Sequence, residues 1–212
     1  MSGPAAGVGA RVVSTVGPVL IVGTGLVGAS LGLALRAGGV SVYLEDASPT
    51  SLRLAADVGA GRPLSDVANE ARVACADRGH NHPGYEAPRI VVVATPPDVA
   101  DRVIVDALAR FPRAIVTDVA SVKDAIVADV LAALDREGRG EDASRYVGCH
   151  PMAGRERSGA GAADADLFYG RPWVIVAHGR TAPRAVLAAR ALATDVGSVP
   201  LEMNAGTHDH AV

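Results

Sequence analysis

From residue 18 onward the chain alternates short, unbroken apolar runs with stretches of helical periodicity. Residues 18–22, 40–44, 89–94 and 113–117 read as strands buried on both faces, because a strand with one wet face would alternate apolar and polar positions. Residues 26–37, 49–58, 98–110 and 122–134 carry the apolar spacing of helices. Such alternation predicts an α/β fold of the Rossmann type, a doubly wound and mostly parallel sheet with right-handed crossovers. Past Tyr146 the rhythm changes. A strand over 147–152 runs into a glycine-rich segment that ends near Gly170, and a strand over 172–177, a helix over 182–196 and a short strand over 198–202 follow. Residues 64–76 predict a helix, while 79–88 and 138–144 have the Gly, Pro and Asn content of surface loops.

The first predicted strand ends in Val19-Leu-Ile-Val-Gly23-Thr-Gly25-Leu26-Val27-Gly28, a G-x-G-x-x-G turn that opens a helix. Gly23 permits the tight turn, Gly25 lets a diphosphate approach the backbone, and Gly28 lets helix and strand pack closely. The helix start, with Leu26 and Val27, offers free amides to phosphate oxygens. The second strand ends at Glu45-Asp46, eighteen residues past Gly28. A carboxylate there accepts the ribose hydroxyls. Asp46 is preferred over Glu45 because it stands at the strand tip, and it favours NAD over NADP, whose 2′-phosphate it repels, with NADP as the alternative. Thr95-Pro96-Pro97 follows a further strand and lines the ligand crevice expected at carboxyl strand ends, or serves as a stiff turn with Pro at the first helical position. The motif divides the chain into a flexible tail over 1–17, a dinucleotide-binding domain over 18–204 and the start of a helical domain over 205–212.

Three polar segments supply candidate chemistry. Asp118-Val-Ala-Ser121-Val-Lys123 follows the strand over 113–117, and Ser121 with Asp124 makes a helix capping box. Lys123 in a first helical turn runs against the helix dipole, which suggests anion contact or positioning. Gly148-Cys149-His150-Pro-Met-Ala-Gly-Arg-Glu156-Arg-Ser-Gly159 leaves a strand for a loop. A loop histidine at a strand end can act as a general base near neutral pH, although a lone histidine is more often structural. Thr207-His208-Asp209-His210 reads as a solvated terminus. Histidines two apart do not share a helix face, so a metal site there is disfavoured.

Composition narrows the partners. The net charge of −3 and pI near 6.0 carry no basic excess for nucleic acid or a membrane surface. The longest early apolar stretch is too short and too interrupted to span a bilayer. Cys75 and Cys149, far apart and outside any metal spacing, argue for a reducing cytoplasmic setting without disulfides.

Taken together, the glycine loop, the Asp118–Lys123 and His150–Gly159 segments and His208-Asp209-His210 resemble the prephenate dehydrogenase family across most of the chain. The resemblance implies oxidative decarboxylation of prephenate, or of arogenate, for tyrosine synthesis. It implies that His150 bonds the substrate ring hydroxyl and takes its proton, that Ser121 sits between that histidine and the nicotinamide, that Glu156 lies at the site mouth, and that His208 is a further active-site histidine. Ala120 departs from the glycine common at that position. The family also continues into a helical, dimerising domain with a Ser-His-Leu-Pro segment and a substrate-binding arginine, so the end at Val212 reads as that of a fragment which binds cofactor with little turnover, the longer protein being a homodimer. Two other readings remain: a Rossmann dehydrogenase for a β-hydroxyacid, and a non-catalytic dinucleotide-binding domain.

Overall fold

The computed structural model describes residues 13–70, 86–154 and 159–211. Among the described residues eight strands form one sheet: β1 (Val19–Val22), β2 (Val42–Glu45), β3 (Arg62–Pro63), β4 (Ile90–Val93), β5 (Ile115–Asp118), β6 (Tyr146–Pro151), β7 (Pro172–Val176) and β8 (Val199–Met203). Their order across the sheet is β3-β2-β1-β4-β5-β6-β7-β8, and every pairing is parallel except β6 with β7. This is an α/β sheet of the Rossmann type, mostly parallel as expected. Strand order reverses between β1 and β4, the place where such sheets open a ligand crevice.

The helices with both ends among the described residues are α1 (Leu26–Ala37), α2 (Pro49–Asp57), α3 (Pro97–Arg110), α4 (Asp124–Arg136), α5 (Pro183–Asp195) and α6 (Ala205–Ala211). Alternate side chains of each central strand feed opposite layers, as the period of two requires. Val19, Ile21, Ile90 and Val92 join Leu31, Leu35 and Leu192 in one core. Leu20, Val91 and Val93 join Ile104, Leu108, Val130 and Leu134 in the other. Both faces are therefore dry, which is why the strands carry no polar alternation. Among the described residues no helix is long and apolar enough to cross a membrane.

Most predicted elements form within two residues of their expected bounds. Residues 64–70 are helical, but the rest of the expected helix over 64–76 and most of the 79–88 loop lie outside the described residues, as do residues 1–12 of the expected tail. The helix expected to begin at 122 begins at Asp124 instead. Its start is held by a residue from the far end of the chain, described below.

Candidate functional site

The crevice forms because three chain turns meet at the carboxyl edge of the sheet. At the end of β1, Gly23 has a φ of 98°, and a Cβ on it would lie 2.5 Å from the Ala94 carbonyl oxygen. A side chain is excluded there by both backbone conformation and contact. Gly25 caps α1 without a side-chain bond, leaving the first-turn amides to a ligand. A Cβ on Gly25 would meet nothing within 4 Å, because that direction is open. A Cβ on Gly28 would lie 2.0 Å from the Gly23 carbonyl oxygen, so α1 seats directly on the turn. The resulting cleft holds about 870 Å³ and is lined by Gly23, Gly25, Leu26, Val27, Asp46, Thr95 and Pro96 among others. The sequence-predicted cofactor residues are thus gathered around one crevice, with Gly28 packed just behind it.

Asp46 has a second task that spacing alone did not reveal. Its carboxylate accepts bonds from the Thr24 amide at 2.6 Å, the Thr24 hydroxyl at 2.7 Å and the Ser48 amide at 2.7 Å. A carboxylate offers about four acceptor sites, so one is left for a ligand, and a grip on two sugar hydroxyls requires the Thr24 hydroxyl to turn away. Glu45 is taken by Arg110 of α3 in a two-pronged pair, 2.8 Å on each prong. Glu45 is thereby engaged on both oxygens, whereas Asp46 keeps one acceptor site. Thr95 adds a buried hydroxyl without a partner at the crevice wall.

Further along the same sheet edge lies a polar centre. β1 and β6 are separated by three strand steps, roughly 14 Å, with β4 and β5 between them. Asp118 ends β5, Ser121 stands exposed on the following loop, and His150 sits half-buried near the end of β6. His150 Nδ1 lies 2.9 Å from Nε2 of His208, which α6 brings in almost fully buried, at 1% exposure. The other His208 nitrogen, Nδ1, contacts Asp209 at 2.6 Å. Burial pulls the Asp209 carboxyl upward, but the Asp124 amide, the His208 ring and the Lys123 amide outweigh it and hold that carboxyl below its usual range.

Desolvation, aided by His208 and Lys123 and opposed by Asp118 and Asp209, pushes the His150 pKa down to about 4. The imidazole is therefore neutral, and able to accept a proton, across the physiological range. An NMR titration should give His150 a midpoint near 4, against 6.5 for a free ring. Between those two values the unfolded chain binds the proton and the folded one does not, so this contribution is full above 6.5 and is lost as pH falls toward 4. A midpoint at the free-ring value would show that the ring is fully hydrated.

Three expectations need correction. Ser121 and Asp124 form no capping box; no side chain of the loop caps α4. Asp209 does so instead, accepting from the Lys123 amide at 3.0 Å and the Asp124 amide at 2.8 Å. Lys123 is not placed for substrate contact or access: it is fully buried, its ammonium pairs with Asp118, and it donates to the Val122 carbonyl at 3.0 Å. The anion it meets is internal. Nor is His208 part of a solvated terminus, since it is enclosed against β6, although Thr207 and His210 on either side are exposed. Glu156 lies outside the described residues. Sequence reasoning missed Asp209 as a cap because its partners are 85 and 86 residues away.

Residues 31–202 match the family described as the nucleotide-binding domain of prephenate dehydrogenase. The chain is 37% identical over 193 residues to a probable prephenate dehydrogenase of Streptomyces niveus, covering 91% of this chain and 47% of that protein. It resembles the A. aeolicus prephenate dehydrogenase solved with hydroxyphenyl propionate and NAD+, with a TM-score of 0.72 and 27% identity, covering 91% of this chain and 62% of that one. For the Synechocystis arogenate dehydrogenase the TM-score is 0.73 and the identity 25%, covering 92% and 62%. The chain thus spans about half the length of the curated relative and under two thirds of these solved chains.

Proposed function

Because the chain belongs to the prephenate dehydrogenase family, we propose that its domain over 18–204 binds NAD between β1 and β4 and carries the proton acceptor for oxidative decarboxylation of prephenate or arogenate in tyrosine biosynthesis. The observation that carries this reading is His150: a half-buried imidazole, neutral above a pH of about 4, backed by a buried histidine and set on the same sheet edge as the glycine turn.

The residues present suit a dinucleotide. The open direction at Gly25 admits a diphosphate, the unpartnered Thr95 hydroxyl awaits an acceptor or donor, and Asp46 keeps an acceptor site for a sugar hydroxyl. The amides of Leu26, Val27 and Gly28 begin α1 and carry its partial positive charge toward phosphate. Thr95 and Pro96 border the crevice from β4. Bound NAD would supply the hydride acceptor. His150 takes the proton of the substrate's ring hydroxyl, and Ser121, one strand away on the β5 loop, stands between that histidine and the nicotinamide and orients both. His208 touches His150 and holds its ring; Lys123 holds the loop from beneath.

Calorimetry separates the parts of this reading. NAD is expected to bind about tenfold more tightly than NADP, a difference near 1.4 kcal/mol, because Asp46 repels a 2′-phosphate. Equal affinities would remove that role from Asp46, and no binding of either would remove the crevice assignment. Turnover is read as NADH formed with prephenate, arogenate and small β-hydroxyacids. Reaction with the last group alone would overturn the substrate class.

A further inference from the structure

We propose that Asp209 is a positioning residue which, through His208, dictates which nitrogen of His150 is left bare to accept a proton. The inference rests on the reading of His150 as the proton acceptor and adds a residue to it. Three groups lie in line: Asp209 Oδ1 is 2.6 Å from His208 Nδ1, and His208 Nε2 is 2.9 Å from His150 Nδ1. The carboxylate can only accept, so His208 carries a proton on Nδ1. Its Nε2 is then a lone pair, and the contact to His150 is a hydrogen bond only if His150 Nδ1 is the donor. His150 Nε2 is left unprotonated. The opposite polarity would need His208 doubly protonated, a second cation buried beside Lys123; the assigned polarity adds no buried charge.

The same carboxylate fixes where this line sits. Its two oxygens also accept the Lys123 and Asp124 amides, so Asp209 ties the base-bearing β6 to the start of α4 and to the Ser121 loop before it. Every bond it makes is one in which it accepts. An amide in its place cannot reproduce that set. If the NH₂ replaces Oδ1 it faces the Lys123 amide and the His208 ring, and if it replaces Oδ2 it faces the Asp124 amide. In the first orientation His208 must accept at Nδ1 and donate from Nε2, and His150 then holds its proton on Nε2. Once His150 has taken a substrate proton, the carboxylate supplies the counter-charge through His208.

The test is a two-bond 1H–15N spectrum of the histidine-labelled protein near neutral pH, without substrate or cofactor, with His150 assigned by the loss of its signals in His150→Asn. The parent should show His150 Nδ1 in the protonated region and Nε2 in the unprotonated region. An Nε2–H ring in the parent overturns the proposal. In Asp209→Asn the Nε2–H form should rise at the expense of the other. Asp209→Ala removes the acceptor in either orientation, so a lower melting temperature with an unchanged tautomer in that variant would make Asp209 merely a helix cap and would also overturn the proposal. Should that variant fail to fold, the parent spectrum decides alone: His208 must carry its proton on Nδ1 with Nε2 bare, and a His208 ring protonated on Nε2 overturns the proposal. Failure of the protein to act on prephenate leaves the tautomer result standing, so the two readings fall separately.

Discussion

Gly25→Ala is expected to fold nearly as well as the parent and to lose the dinucleotide, whereas Gly28→Ala is expected to lose much of its stability. The two glycines stand three residues apart in one motif, yet a methyl group meets opposite surroundings at each. At Gly25 the backbone has a φ of −67° and a ψ of −166°, within reach of alanine, and the added Cβ meets nothing within 4 Å. Replacing one uncapped start of α1 by another costs no more than about 1 kcal/mol. The methyl instead occupies the direction from which a diphosphate must approach. An overlap of about 1–3 kcal/mol corresponds to roughly a five- to 150-fold loss of affinity for NAD. At Gly28 alanine would gain about 1 kcal/mol of helix propensity. Against this stands a contact of 2.0 Å with the Gly23 carbonyl oxygen and one of 3.2 Å with the Ile21 side chain. Neither neighbour can yield, because Gly23 is pinned by its bond to the Glu45 carbonyl and Ile21 is in mid-strand. The net cost should be roughly 3 kcal/mol or more, a large share of a total of about 5–15. Urea denaturation with NAD calorimetry on both variants decides the matter. A stable Gly28→Ala, or a Gly25→Ala that binds NAD like the parent, would contradict the geometry described.

The crevice was legible in the sequence because its parts are local. The turn, the helix start and the strand-tip acid each depend on residues within a few positions, and their order along the chain fixes their order in space once the sheet is parallel. The reaction centre was legible only in part. His150 and Ser121 could be named by family resemblance, but nothing near Ser121 reveals that the cap of α4 comes from Asp209. Local chemistry offered a capping box of Ser121 and Asp124, and a distant carboxylate displaced it. Lys123 misled for the same reason. Its position at a helix start signals that a cation has an anion to meet, but the anion is Asp118, five residues earlier, folded beneath the loop. One trace of this was present: Gly148 on β6, where a Cβ would stand 3.2 Å from Lys123 Cδ and 3.5 Å from Asp118 Oδ2. A glycine within a buried strand marks the close approach of another group.

That internal pair supports the second large effect: Lys123→Met should destabilise the protein by roughly 3–5 kcal/mol without leaving a cavity. Met is unbranched and nearly fills the lysine stem's path past Gly148, so the loss is electrostatic and not steric. Asp118 in the variant keeps the Ala120 amide at 3.0 Å and the Tyr146 hydroxyl at 2.8 Å, but it has no cation and no solvent. Tyr146 cannot supply the missing charge. Burial foremost, then the Asp118 charge, holds its phenol well above the usual range, so it remains a neutral donor. A buried carboxylate with two neutral donors is an uncompensated charge. The double variant Asp118→Asn with Lys123→Met removes that charge, and it should recover most of the loss, since a neutral amide can still accept from Ala120 or Tyr146. Chemical denaturation of the two single variants and the double gives the coupling directly. Additive losses would mean that the ion pair is incidental. Strong coupling would mean that the loop bearing Ser121 is held from below by a closed internal charge pair, and that its geometry does not depend on any ligand.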